Sequence, residues 1–252
     1  MRYEILGELR VVCAEGVIAP RARKIEALLA ILLARANQVV STDQLVVELW
    51  GESPPARANA ALYVYVSQLR KLLHGDGDEN SPIVTRTRGY SLRVEPGRLD
   101  VEQFQALYAE GRRLYRAKQY APAVEVLDAA VRLWRGPVFG GQVDSPVVGA
   151  YSTLLEEGRL ECLELQMEAE LSIGRHREVI GRLSALTTEY ALRETFYQYL
   201  MVALHRSGRR AEALETYRTA HRRLNEEVGI GPCRPLQELH QKILTDNAFV
   251  AA

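Results

Sequence analysis

Cysteine is scarce in this chain: Cys13, Cys162 and Cys233 are the only three in 252 residues. An odd number at such wide spacing supports neither a disulfide framework nor a zinc site. Long apolar runs are missing too. The longest, Ala27 to Ala34, falls far short of the roughly 20 residues that span a bilayer. The opening MRYEILGELR carries acids where a secretory leader needs an apolar stretch. A cytoplasmic protein without a membrane partner is therefore expected. Lysine is rare, 4 residues against 28 arginines, which points to a GC-rich genome more than to a function. There is also no excess of charge: 32 Lys and Arg balance 32 Asp and Glu. Residues 1–98 hold 13 basic and 11 acidic residues, a net +2, and residues 99–252 hold 19 and 21, a net −2. A nucleic-acid surface must then be argued from local patches, not from bulk charge.

The signatures of catalysis are lacking as well. His74, His176, His205, His221 and His240 include no HExxH pair. There is no GxxxxGK phosphate loop and no GxSxG elbow. Gly136, Gly140 and Gly141 follow a helical pattern where a dinucleotide fingerprint would follow a strand. Glu156-Glu157 and Glu226-Glu227 read as solvated helix faces. No catalytic residue, metal site or cofactor is expected, and the chain is read as a non-enzyme.

What is present is patterned. A 47% apolar and 25% charged composition is that of an ordinary globular protein, and the length suits one or two domains. Tyr3, Ile5, Leu9 and Val11 alternate with Glu4, Glu8 and Arg10, a strand period. Ile25, Leu28, Leu29, Leu32 and Leu33 recur at helical spacing. Ser41 with Gln44 forms a capping-box sequence opening a second helix, which stops at Gly51. A third helical pattern follows Pro54-Pro55 and runs to about Leu73. After the turn-rich Gly75-Asp76-Gly77-Asp78, the segment IVTRTRGYSLRV predicts a hairpin around Arg88-Gly89. This order predicts an α+β winged helix-turn-helix over residues 1–98, with a boundary at Glu95-Pro96-Gly97-Arg98.

From residue 99 to 252 the pattern is all-α. Gly174-Arg175-His176-Arg177-Glu178-Val179-Ile180 matches Gly208-Arg209-Arg210-Ala211-Glu212-Ala213-Leu214, a period of 34 residues. That is the period of tetratricopeptide helix pairs. Ala117 to Val124 resembles an earlier copy, displaced by the insertion WRGPVFGGQVDSP. Three stacked pairs are expected, closed by a helix near Leu236 to Leu244 with a polar outer face of Gln237, Glu238, Gln241 and Lys242.

The third helix carries the chemistry. Leu62, Val66, Leu69 and Leu73 form its core stripe. Its other side presents Ala60, Val64, Ser67, Gln68 and Lys71, flanked by Tyr63 and Arg70. Hydroxyl and amide groups can read base edges, an exposed Val can meet a thymine methyl, and Arg or Lys can reach phosphate. Tyr63 is expected either in the groove or packed on the wing. Arg86 and Arg88 near the hairpin tip suit a minor groove or phosphate rail. The candidate DNA-binding set is Tyr63, Val64, Ser67, Gln68, Arg70, Lys71, Arg86 and Arg88.

LYVYVSQLRKLL and IVTRTRGYSLRV resemble the recognition helix and wing of OmpR-type domains, the two-component effector type. With MRYEILGELRVV, STDQLVVELWGESPP and the ending EVGIGPCRPLQELHQKIL, the chain resembles the Streptomyces antibiotic regulatory protein (SARP) family over nearly its whole length. The resemblance implies a transcriptional activator of secondary-metabolite genes. Such a protein binds direct repeats in double-stranded promoter DNA near the −35 region, beside a second protomer. Its helical half is a bacterial transcriptional activation domain that contacts RNA polymerase holoenzyme. The resemblance implies either a small stand-alone member or the N-terminal part of a larger one that carries an ATPase and sensor repeats, and phosphoaspartate control through a receiver domain is not expected. Ser67 and Gln68 stand where OmpR-type helices more often carry arginine. The alternative is a tetratricopeptide-like interaction adaptor whose winged domain no longer binds DNA.

Overall fold

The computed structural model describes residues 1–14, 16–20, 22–74 and 81–245. The predicted Gly75-Asp76-Gly77-Asp78 loop and the side chain of His74 lie outside the described residues. Contacts divide the chain into two compact units, Met1–Tyr108 with Ala129–Leu160, and Ala109–Asp128 with Glu161–Ala252.

The first unit opens with strands β1 (Arg2–Glu4), β2 (Arg10–Cys13) and β3 (Gly16–Ile18), an antiparallel sheet in that order. Sequence alternation implied one stretch of strand; the structure folds it into three. The alternating residues Tyr3, Ile5, Leu9 and Val11 are all buried. Helix α1 (Arg23–Ala34) follows, with Leu28 through Leu33 buried. Then come β4 (Val40–Ser41), α2 (Thr42–Trp50), α3 (Ala58–His74), β5 (Ile83–Arg86) and β6 (Gly89–Leu92), with β4, β6 and β5 forming a second sheet. The capping box at α2 is present: the Gln44 N–H donates to Ser41 Oγ at 3.1 Å, and Gln44 Oε1 accepts from the Ser41 N–H at 3.4 Å. The helix ends at Gly51, whose φ of 62° disfavours side-chain-bearing residues.

Helices α4 (Asp100–Arg116), α5 (Tyr120–Val131) and α6 (Pro146–Ser172) come next. The start of α4 and the 129–160 segment pack in the first unit. The reason lies in the Ile5–Gly7 backbone. The N–H groups of Ile5 and Leu6 donate to the Asp100 carboxylate at 2.9–3.1 Å. Their carbonyls, with that of Gly7, accept from Phe139, Arg135 and Gly140 N–H at 3.0, 2.7 and 2.9 Å. The WRGPVFGGQVDSP insertion thus satisfies buried peptide groups that the first sheet leaves unpaired. Burial raises the Asp100 carboxyl above its ordinary range, against the opposing pull of those N–H groups and of Arg135, whose guanidinium lies 3.4 Å away.

The second unit continues through α7 (His176–Glu189), α8 (Glu194–Arg206), α9 (Arg210–Val228) and α10 (Arg234–Thr245). The predicted repeat is visible in its turns. At the ends of α4, α6 and α8 a left-handed residue, Lys118, Gly174 or Gly208, has φ of 59°, 83° or 79°. The next residue closes the same bond each time: Gln119 N–H to Leu114 O, Arg175 N–H to Glu170 O, and Arg209 N–H to Leu204 O, at 2.9–3.1 Å. This is the Schellman ending that a left-handed residue makes possible. α10 buries Leu236 and Ile243 and exposes Gln237, Glu238, Gln241 and Lys242.

Candidate nucleic-acid interface

The α3 pattern explains which side is inward. Leu62, Val66, Leu69 and Leu73 are at most 3% exposed, and burying each contributes about 1.5–3 kcal/mol. That anchors the helix and fixes its rotation. The opposite side must then face solvent: Ala60, Tyr63, Val64, Ser67, Gln68 and Lys71 are all exposed. Tyr63 keeps 64% and Val64 51% of its surface accessible. The α3 side facing α2 is steadied by stacking of Tyr65 on Trp50, with ring centroids 6.0 Å apart.

The wing turn consists of Thr87 and Arg88, with Arg86 paired opposite Gly89. Sequence had placed the turn one residue later, around Arg88-Gly89. The strand begins at Gly89 because β6 must pass β4 closely: a Cβ there would sit 2.0 Å from the Val40 carbonyl oxygen. The Thr42 N–H donates to Arg88 O at 3.0 Å, fixing the turn beside the start of α2. The side chains of Arg86 and Arg88 are exposed, and neither forms an ion pair among the described residues.

Arg70 differs from the other candidates. It is half-buried, and its Nη2 donates to Ile83 O at 3.1 Å and to Thr85 Oγ1 at 2.7 Å. It clamps α3 to the wing, and its Nε is buried without a bond. Tyr90, on β6 beneath, has its hydroxyl pKa raised by burial and by the neighbouring Tyr63. Sequence reasoning missed two residues beside this surface. Thr85 receives the Arg70 bond, which no local pattern reveals. Arg57, exposed just before α3, extends the outward stripe one turn toward the N-terminus; its spacing of seven from Val64 could have disclosed it.

Among the described residues no cluster of His, Cys, Asp and Glu could hold a metal ion, and no helix is long and apolar enough to cross a membrane.

Residues 21–92 match the family "Transcriptional regulatory protein, C terminal", and residues 99–244 match "Bacterial transcriptional activator domain". The chain is 37% identical over 252 residues to the regulatory protein AfsR of Streptomyces coelicolor, covering all of this chain and 25% of that one. It is 34% identical over 250 residues to the regulatory protein DnrI of Streptomyces peucetius, covering 97% of this chain and 92% of that one. The solved structure of Mycobacterium tuberculosis EmbR in complex with a low affinity phosphopeptide superposes with a TM-score of 0.88 at 33% identity, over 96% of this chain and 64% of that one. The chain thus spans about a quarter of the length of the AfsR proteins it matches. An OmpR-type winged domain followed by a bacterial transcriptional activator domain, with such relatives along its whole length, makes this chain a member of the Streptomyces antibiotic regulatory protein family.

Proposed function

We propose that the chain is a sequence-specific activator of transcription that reads double-stranded promoter DNA through α3 and the wing. The observation that carries this reading is the exposed stripe of α3, with two arginines held beside it on a hairpin that Arg70 ties to the helix. In this reading Ser67 and Gln68 hydrogen-bond base edges, Val64 and Tyr63 make apolar contacts, and Lys71 reaches phosphate. Arg86 and Arg88 follow the minor groove or its phosphate rail. Arg70 positions the wing and touches DNA little. Residues 1–98 supply this surface; residues 99–252 supply contacts to RNA polymerase holoenzyme and to a neighbouring protomer.

The target is a secondary-metabolite gene cluster, with two protomers side by side on direct repeats near the −35 region. This rests on the family and on relatives named as regulatory proteins. The net −2 of residues 99–252 disfavours a second DNA surface there, since phosphates would be repelled. A footprint of the full chain on the promoters flanking its own gene tests the reading. Protection of two repeats in the same orientation supports it. A chain that protects no segment and binds duplexes without salt dependence is instead an interaction adaptor.

A further inference from the structure

A cleft of about 360 Å³ opens between α7, α8 and α9 in the second unit. Its size is within the range of small-molecule sites. Leu200 and Leu204 line one part of it, both nearly buried.

The polar lining is unevenly satisfied. Ser184, Thr188 and Thr216 each donate their hydroxyl proton to a carbonyl of their own helix, at 2.8, 3.1 and 2.8 Å. Both carboxylates on the rim are also engaged. Glu212 takes a bidentate bond from Arg209 at 2.5 and 2.7 Å, and Glu215 pairs with Arg218 at 3.0 Å. Arg223 is different. It is half-buried, and its Nη1 donates to Thr187 O at 2.6 Å and to Tyr197 Oη at 3.0 Å. Tyr197 is 1% exposed and itself donates to Thr187 O at 3.1 Å. The guanidinium is therefore anchored at one edge. Its Nε and Nη2 make no bond, and it meets no carboxylate among the described residues. Thr219, one helical turn earlier on the same side of α9, has a hydroxyl without a bond among the described residues.

The Nε and Nη2 edge of this half-buried guanidinium is left open to an anion entering the cleft. Guanidinium edges match a carboxylate in a bidentate manner, and the Thr219 hydroxyl adds a third donor. We propose that this cleft binds a small organic anion through one carboxylate, held by Arg223 and Thr219, with its apolar part against Leu200 and Leu204. One cation suits one negative charge. A run of acidic residues from a partner protein would meet Glu212 and Glu215 on the rim, which favours a small ligand. The site belongs to the second unit, whereas α3 and the wing belong to the first, and it does not rest on the DNA-binding reading.

The test uses the full chain, ¹⁵N-labelled, titrated with butyrate, a monocarboxylate with an apolar tail, against chloride at equal ionic strength. The Nε–H resonance of Arg223 should move saturably, while those of Arg209 and Arg218 stay in place. Thr219→Glu puts a carboxylate four residues before Arg223 on the same helix, where i,i+4 pairs form. It should weaken butyrate binding about tenfold or more, the loss expected when charged hydrogen bonds go, and Arg223→Gln should abolish it. An Arg223 resonance that moves only linearly, or together with those of Arg209 and Arg218, overturns the proposal. So does a Thr219→Glu chain that titrates like the wild type.

Discussion

Arg70 and Thr85 are joined by a 2.7 Å hydrogen bond that links the exposed helix of the winged domain to the hairpin beside it. The same Nη2 also holds the carbonyl of Ile83. One side chain therefore ties α3 to the wing hairpin. Thr85→Val removes a single bond to a charged donor, worth about 1.5–3 kcal/mol at most. The chain should remain folded by circular dichroism. Its affinity for the promoter duplex should fall while its ranking of mutated sites stays unchanged. A reordered ranking would show that Thr85 or Arg70 reads bases directly.

Arg86 and Arg88 are exposed at the wing without ion-pair partners among the described residues. Each phosphate they neutralise contributes about 0.9 to the slope of log affinity against log salt. Alanine at one of them should lower that slope by about 0.9, and alanine at both by about twice that. Anisotropy titrations across a salt series give the slope. An unchanged slope in both variants would take the wing off the DNA.

Gln68 and Lys71 share the exposed side of α3 but differ in what they can read. Gln68→Ala should cost about 1–3 kcal/mol at one or two base pairs and flatten preference there. Lys71→Ala should weaken all sequences about equally. Binding to a set of single-base site variants separates the two. Uniform weakening by Gln68→Ala would remove its role as a reader.

The buried Asp100 carboxyl gives a pH prediction. Its pKa lies above the ordinary 3.8 because burial outweighs the Ile5 and Leu6 N–H groups and Arg135. Between 3.8 and that raised value the folded chain holds a proton that the unfolded chain has released. Stability conferred by this group is thus greatest at low pH and declines as pH rises through that window. Urea unfolding at a series of pH values should reveal the decline, and Asp100→Asn should remove it. An identical pH profile in the variant would assign the effect to other groups.

Thiol labelling checks the packing of the second unit. Burial pushes the Cys162 thiol up to about 12, so almost no thiolate exists near neutral pH. Iodoacetamide should leave Cys162 unmodified in the native chain and label it on unfolding. Rapid native labelling would contradict the α5–α6 contact, where Cys162 Sγ lies 3.9 Å from Leu127 O.

Much of the fold was legible because it depends on local pattern. The Ser41–Gln44 capping box, the Leu62–Leu73 stripe and the 34-residue repeat each follow from spacing along one helix or turn. The repeat even locates Lys118, a non-glycine residue in the left-handed position that Gly174 and Gly208 also occupy. What was not legible depends on partners distant in sequence. Nothing near Ile5 announces that Asp100 and Phe139 will complete its hydrogen bonds. The exposure of Tyr63, Val64, Ser67, Gln68 and Lys71 was likewise legible from the outward side of one helix. Arg70 sits at the border of that side, and only the wing's position reveals that it turns toward Ile83 and Thr85.

The central claim is that α3 and the wing together read duplex DNA. It is tested most directly by a footprint of the full chain, wild type and Gln68→Ala with Arg88→Ala, on the promoters flanking its own gene. The account predicts protection of two direct repeats by the wild type at moderate salt, lost at high salt, and none by the double variant at the same concentration. Equal protection by both proteins, or by neither, would contradict it.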